Sequence, residues 1–168
     1  MRKPYAAFAI ALLVVSVAAM PTEAKRMDPV LLQGEARAID GDTLQVGDTR
    51  LRLHGIDAPE LRQTCEDSAG EAWACGRRAA SELAAAVAGG EIHCISRERD
   101  RYQHLVATCW AAGRDVGQAL VAHGWAVAYR RFSVDYVSDE NVARYLTQGM
   151  WAGRFEMPWD WRQARRRQ

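Results

Sequence analysis

The chain has 168 residues, with 22 Lys and Arg set against 21 Asp and Glu and a formal net charge of +1. That length suits one domain of usual size. The near balance of charge excludes a strongly basic nucleic-acid binder, which would show a clear excess of cations.

Arg2 and Lys3 precede a continuous apolar run from Ala6 to Ala19, and Thr22-Glu23-Ala24 offers a Thr-x-Ala cleavage site. This layout predicts a secretory signal peptide over residues 1–24. The alternative is an uncleaved anchor, but the run is shorter than the roughly 20 residues that a spanning helix needs. No later segment reads as membrane-spanning, so no stable membrane association is expected after cleavage. The expected location is periplasmic or secreted. Losing Arg2, Lys3 and Glu23 leaves the mature part near neutral. Its positive charge is local and almost all arginine: Arg97, Arg99 and Arg101 lie together, and Arg162, Arg165, Arg166 and Arg167 crowd the C-terminus. Arginine makes forked contacts with phosphate; a solvated surface and tail is the plainer reading of the C-terminal group.

Residues 25–34 read as a mobile lead-in to a domain over 35–162, with 163–168 a basic tail. Strand-like runs follow at Glu35–Ile39, Thr43–Val46 and Arg50–Ile56, the last two joined through a turn at Gly47-Asp48-Thr49. Pro59 cannot donate to a ladder and ends the third run. Residues 61–75 form a polar loop. Arg77 to Ala88 reads as a helix stopped by Gly89-Gly90. Two further strands, Glu91–Ser96 and Leu105–Ala111, flank the arginine-rich segment 97–104. Asp115–His123 reads as a short helix with Val116, Leu120 and Val121 inward. A third helix follows Ser138 as N-cap, with Asp139 and Glu140 in its first turn. Val142, Tyr145 and Leu146 are its expected buried face. Trp151, Phe155, Trp159 and Trp161 are expected to pack on the body, with a base-stacking platform as the alternative. The fold class is thus α+β: a five-stranded OB-type β-barrel with three α-helices.

The cysteines number four: Cys65, Cys75, Cys94 and Cys109. An even count in an exported chain suggests two disulfides, of which three pairings exist. Cys65–Cys75 and Cys94–Cys109 are favoured, because each joins segments that local structure brings together. A four-cysteine zinc site is the rival, and the spacings hold no Cys-x-x-Cys.

The chemistry concentrates between Ala38 and Glu60. Ala38-Ile39-Asp40-Gly41-Asp42-Thr43 is followed by Arg52-Leu53-His54-Gly55-Ile56-Asp57-Ala58-Pro59-Glu60. Acidic oxygens converging from neighbouring strands suit a hard divalent cation. A nearby arginine and glutamate suit phosphodiester hydrolysis: one neutralises phosphate charge, the other takes a proton from water. Turn chemistry is the plainer account of Asp-Gly and Asp-Ala-Pro.

These motifs, with Asp100-Arg101-Tyr102, Gly113-Arg114-Asp115-Val116 and Gly149-Met150-Trp151-Ala152-Gly153, resemble the staphylococcal nuclease (thermonuclease) family over about Gly34 to Arg162. The resemblance implies a Ca2+-dependent phosphodiesterase acting on DNA or RNA, with nucleic acid as its partner. It implies Asp42, Asp57 and the Ala58 carbonyl as calcium ligands, and Asp40 in the outer shell. Glu60 matches the glutamate that orients or deprotonates water, and Arg52 an arginine that binds the scissile phosphate. Arg101, Tyr102 and Tyr129 fall at expected substrate-binding positions. The chain departs from the pattern at Gln103 and His104, where the family carries glycine and a second arginine. Histidine cannot make the forked cationic contact. Losing one such donor typically costs on the order of 10²–10³ in rate. Two expectations follow: a nuclease of reduced turnover, or a catalytically silent nucleic-acid-binding or interaction module on the same barrel.

Overall fold

The computed structural model describes residues 27–167; the expected leader over 1–24 lies outside them. The first strand, β1 (Val30–Ala38), alternates half-buried and exposed residues along its length. That period of two is a strand with one face on a core. It begins inside the segment expected as a mobile lead-in: Val30 to Glu35 pair in antiparallel register with Ser96 to Glu91. A partner strand long enough to zip that far orders residues that look like a linker in isolation.

β1 also pairs with β2 (Thr43–Val46), and β2 with β3 (Thr49–Leu53). After a crossover helix, α1 (Cys75–Val87), the chain returns as β4 (Glu91–Arg99) and β5 (Leu105–Ala111). The order is β3-β2-β1-β4-β5, and a parallel β3–β5 pairing (Leu51 with Leu105, Arg52 with Val106) closes the barrel. Closure removes the exposed edges that an open sheet would present. Leu44, Leu51, Ile92 and Cys109 fill the interior, and Leu83 and Val87 of α1 join the same core.

Among the described residues four α-helices surround the barrel, one more than expected. Besides α1 there are α2 (Val116–Ala122), α3 (Val137–Tyr145) and α4 (Pro158–Arg165). The fourth converts much of the expected basic tail into structure. Pro158 sits at its start, where the missing N–H costs nothing. In α2, Val116, Leu120 and Val121 are buried as expected, and the Asp115 carboxylate caps the helix by accepting from the Gln118 N–H at 3.0 Å.

In α3 the expected face is reversed: Val142, Tyr145 and Leu146 are exposed, whereas Glu140 and Ala143 are buried. The Glu140 carboxylate sets the rotation. It accepts from the Ala128 N–H at 3.1 Å and pairs with Arg130. The helix also starts one residue before Ser138, with Tyr136 at its N-cap position. Asp139 and Glu140 do occupy the first turn.

Both favoured cysteine pairs form disulfides, with Cα–Cα distances of 5.6 Å for Cys65–Cys75 and 4.1 Å for Cys94–Cys109. Cys94 and Cys109 are direct cross-strand partners on β4 and β5. Cys65–Cys75 ties the polar loop to the start of α1. A second apolar cluster gathers there: Cys65, Cys75, Val127 and Met150, against Trp73, Trp151, Phe155 and Trp159. Three of the four C-terminal aromatics therefore pack on the body. Disulfides persist in oxidising compartments. Among the described residues no helix is long and apolar enough to cross a membrane.

Candidate active site

Two backbone irregularities bring the acidic residues together. Between β1 and β2, the bend at Ile39–Asp42 is closed by the Ile39 N–H donating to the Thr43 carbonyl at 2.9 Å. The Asp42 N–H also donates to Asp40 Oδ1 at 3.1 Å. Gly41 lies at the tightest point, where an added Cβ would come within 2.7 Å of Ala58 Cβ. Only glycine lets the two acidic loops touch. After β3, Gly55 at φ +70° breaks the strand. Ile56 and Asp57 then pair with Ala128 and Val127. That turn carries Asp57 into the interior and Glu60 to the cleft. Gly76 of α1 fixes the rim, since a side chain there would collide with the Glu60 carbonyl.

Asp40, Asp42, Arg52, Ala58 and Glu60 line one cleft with a volume of about 40 Å³. Asp57 does not line it: the side chain is fully buried alongside, within reach of Arg52. Arg52 Nη2 lies 2.7 Å from Asp42 Oδ2 and 3.9 Å from Asp57 Oδ1. Asp42 Oδ1 accepts from the Thr43 hydroxyl at 3.0 Å.

One further residue enters that the sequence reading left in the basic C-terminal group. Arg162 of α4 donates through Nη1 and Nη2 to Asp57 Oδ1 and Oδ2 at 2.9 and 2.8 Å. Nη1 also reaches Glu60 Oε1 at 2.8 Å. Two contacts seat α4 over the cleft. Trp159 stacks on Tyr129 at 5.5 Å between ring centroids and 4° between planes. Fully buried Gln63 donates to the Glu156 carbonyl at 2.6 Å and accepts from the Glu60 N–H at 3.3 Å. The sequence did hold a signal for Arg162. Pro158 marks a helix start, and Trp159 lies three residues before Arg162, on the same helical face.

Burial, with Asp40 and Asp57 nearby, outweighs Arg52 and pushes the Asp42 carboxyl up to about 7. Burial likewise raises Asp57 against the pull of Arg162 and Arg52. Asp42 in turn raises Arg52. Arg162 is raised too: Asp57 and Glu60 outweigh its partial burial. Fully ionised, the four carboxyl groups of Asp40, Asp42, Asp57 and Glu60 would exceed these two guanidiniums by two charges, and by one while Asp42 keeps its proton.

Among the described residues no three His, Cys, Asp or Glu side chains stand as a ready metal cage. Asp42 and Asp57 are instead engaged by Arg52 and Arg162. The donor set itself fits a hard cation. Every candidate ligand is an oxygen, and buried carboxylates held above their ordinary range are relieved by positive charge.

His104, Arg101 and Tyr102 lie apart from this cluster, on the β4–β5 turn. His104 Nδ1 lies 3.1 Å from Asp100 Oδ2, and the His104 N–H donates to Asp100 Oδ1 at 2.9 Å. Burial raises the Asp100 carboxyl, but the bonds from His104 and Tyr102 outweigh it and hold it below its usual range. Gln103 adopts φ +68°, so the glycine-type turn survives without the glycine. Arg101 stacks over exposed Tyr102 at 4.8 Å. His104 lies two residues before Val106, the cross-strand neighbour of Arg52. It lies just ahead of the first residue of β5.

A family model described as staphylococcal nuclease homologue matches residues 50–153. The succinoglycan biosynthesis protein ExoI of Rhizobium meliloti is 34% identical, over 82% of this chain and 73% of its own length. Protein ParB of Escherichia coli is 34% identical, over 96% and 93%. An uncharacterized endonuclease of Haemophilus influenzae is 28% identical, over 67% and 62%. With its closed five-stranded barrel and an acidic cleft between β1–β2 and β3, the chain belongs to the staphylococcal nuclease family.

Proposed function

We propose that this protein is an exported, calcium-dependent nuclease that hydrolyses phosphodiester bonds in DNA or RNA. Family membership supports the nuclease reading, and one observation supports this cleft as its seat. Asp42, Arg52 and Glu60 line one cleft, with Asp57 buried 3.9 Å from Arg52, although they come from the β1–β2 bend, from β3 and from the segment after it. Asp42 and Asp57 would hold Ca2+, with the Ala58 carbonyl as a further ligand and Asp40 acting through water. When bound, the ion supplies charge to a phosphoryl oxygen and orients water.

The chain's own groups divide the remaining work. Glu60, half-exposed at the rim, accepts a proton from the attacking water. A new P–O bond forms as the bond to the leaving sugar oxygen breaks, and that oxygen takes a proton from solvent water and departs as the alcohol. Arg52 donates to the phosphate oxygens as their charge grows, an interaction strongest in the transition state. Arg101, Tyr102 and Tyr129 would contact flanking nucleotide, and His104 would offer a weaker phosphate contact than the family arginine. Reduced turnover is the expected result. The two disulfides support export, with residues 1–24 as a leader and 35–162 as the working domain.

The test is digestion of single-stranded DNA by the purified mature domain, with calcium and with chelator. Slow cleavage that stops on chelation, and falls by on the order of 10²–10⁴ in Glu60→Ala, is expected. Cleavage indifferent to chelator contradicts the metal assignment. A second reading, a silent nucleic-acid-binding module, draws on His104 and Gln103 at the position of the family's arginine motif; it predicts calcium-insensitive binding without cleavage.

A further inference from the structure

We propose that Arg162 is a second phosphate-binding guanidinium of this cleft, held by Asp57 and Glu60 until a divalent cation takes the Asp57 carboxylate and frees the donors spent on it. The inference rests on the reading of the cleft as a phosphodiesterase site.

The argument starts from donors and charges. Arg162 spends its planar fork on both oxygens of Asp57 and on Glu60 Oε1. Arg52 commits a single donor, Nη2, to Asp42 Oδ2. A cation that binds through Asp42 and Asp57 needs the same carboxylate oxygens, so ion and guanidinium compete. Fully ionised, Asp40, Asp42, Asp57 and Glu60 exceed Arg52 and Arg162 by two negative charges. A divalent ion therefore neutralises the cleft, and neither arginine must leave it. Each would stand beside the ion with N–H donors unmatched, where a phosphate diester can accept them bidentately.

Position favours Arg162 over the other basic side chains. Its side chain is 24% exposed, enough to meet a ligand at the rim yet buried enough to hold one geometry. The α4 scaffold is anchored on both sides, by the Trp159–Tyr129 stack and the Gln63–Glu156 bond. His104 is tied to Asp100, and Arg101 lies over Tyr102, both on the β4–β5 turn. Release of Arg162 is a rotamer change rather than a loop movement. The arrangement couples the two ligands: the cation frees the phosphate binder, and phosphate bound to Arg162 removes the competitor of the cation.

The experiment compares wild type with Arg162→Gln and Arg162→Lys, each checked for native fold by circular dichroism. Calcium affinity is measured by titration calorimetry. Binding of a slowly cleaved phosphorothioate oligonucleotide is measured by fluorescence anisotropy with calcium and with chelator. Turnover is measured on the unmodified strand. Arg162→Gln should bind calcium at least about threefold more tightly, because no guanidinium must be displaced. It should bind the oligonucleotide at least about tenfold more weakly in calcium, yet match wild type in chelator. Its kcat should fall by on the order of 10²–10³, with Arg162→Lys between. A helix latch without phosphate contact predicts the opposite signs: calcium affinity unchanged or weakened, and oligonucleotide binding equally affected with and without calcium. Either result overturns the proposal, and a folded Arg162→Lys decides the matter if the glutamine variant does not fold. If wild type fails to cleave but shows the calcium-dependent difference in oligonucleotide binding, the nuclease reading fails while the role of Arg162 stands.

Discussion

Removing calcium and raising pH should destabilise this protein through Asp42. Its carboxyl, ordinarily near 3.8, is pushed up to about 7 by burial beside Asp40 and Asp57, despite Arg52. Between those two values the folded chain keeps a proton that the unfolded chain releases. Stability must then fall as pH rises through the window and level off above about pH 7. Each tenfold change in proton affinity is about 1.4 kcal/mol, so the loss is on the order of 4 kcal/mol. Asp57, raised in the same direction, adds to it. Asp100, held below its ordinary range, works the other way: its contribution is lost as pH falls below that range, outside the window. The assay is urea denaturation in chelator across the window, for wild type and Asp42→Asn. The difference between the two proteins should shrink steadily against wild type as pH rises. Calcium should reverse the trend, since the ion needs the deprotonated carboxylate. Its apparent affinity should rise about tenfold per pH unit up to about pH 7. A wild-type-minus-variant difference that is flat, or that grows with pH in chelator, refutes the claim that Asp42 is held protonated by burial.

Two further outcomes follow from the β4–β5 turn. His104→Arg should raise kcat by about tenfold, because it adds a forked donor at the head of β5, the strand paired with Arg52. An unchanged rate on single-stranded DNA places that turn beyond reach of the scissile phosphate. Gln103→Gly should stabilise the fold by about 1 kcal/mol, since Gln103 holds a φ of +68° that glycine adopts without strain. Chemical denaturation that shows no gain, or a loss, contradicts this.

The acidic cleft was readable because its parts are local. Asp40, Asp42, Arg52, Asp57 and Glu60 fall within 21 consecutive residues, and each turn that aims them carries its own glycine or proline. The Cys94–Cys109 pair was readable for the same reason, as facing positions of one hairpin. Arg162 was not, since it meets Asp57 across 105 positions; Pro158 and Trp159 mark its helix and packed face but not the distant carboxylate that it meets. The start of β1 was missed because its order comes from a distant partner, β4. The rotation of α3 was missed because hydrophobicity alone favours burying Val142, Tyr145 and Leu146. The buried Glu140 overrides that preference by satisfying the Ala128 N–H and Arg130. A polar group with two committed partners outweighs an apolar stripe that has only solvent-facing space to fill.

The account turns on Asp42 and Asp57 acting as one cation site, and calorimetric titration of calcium into the purified mature domain above pH 7 tests it most directly. One ion per wild-type chain, with none after combined Asp42→Asn and Asp57→Asn, is the predicted result. A wild-type domain that takes up no calcium, or a double variant that binds it as well as wild type, contradicts the account.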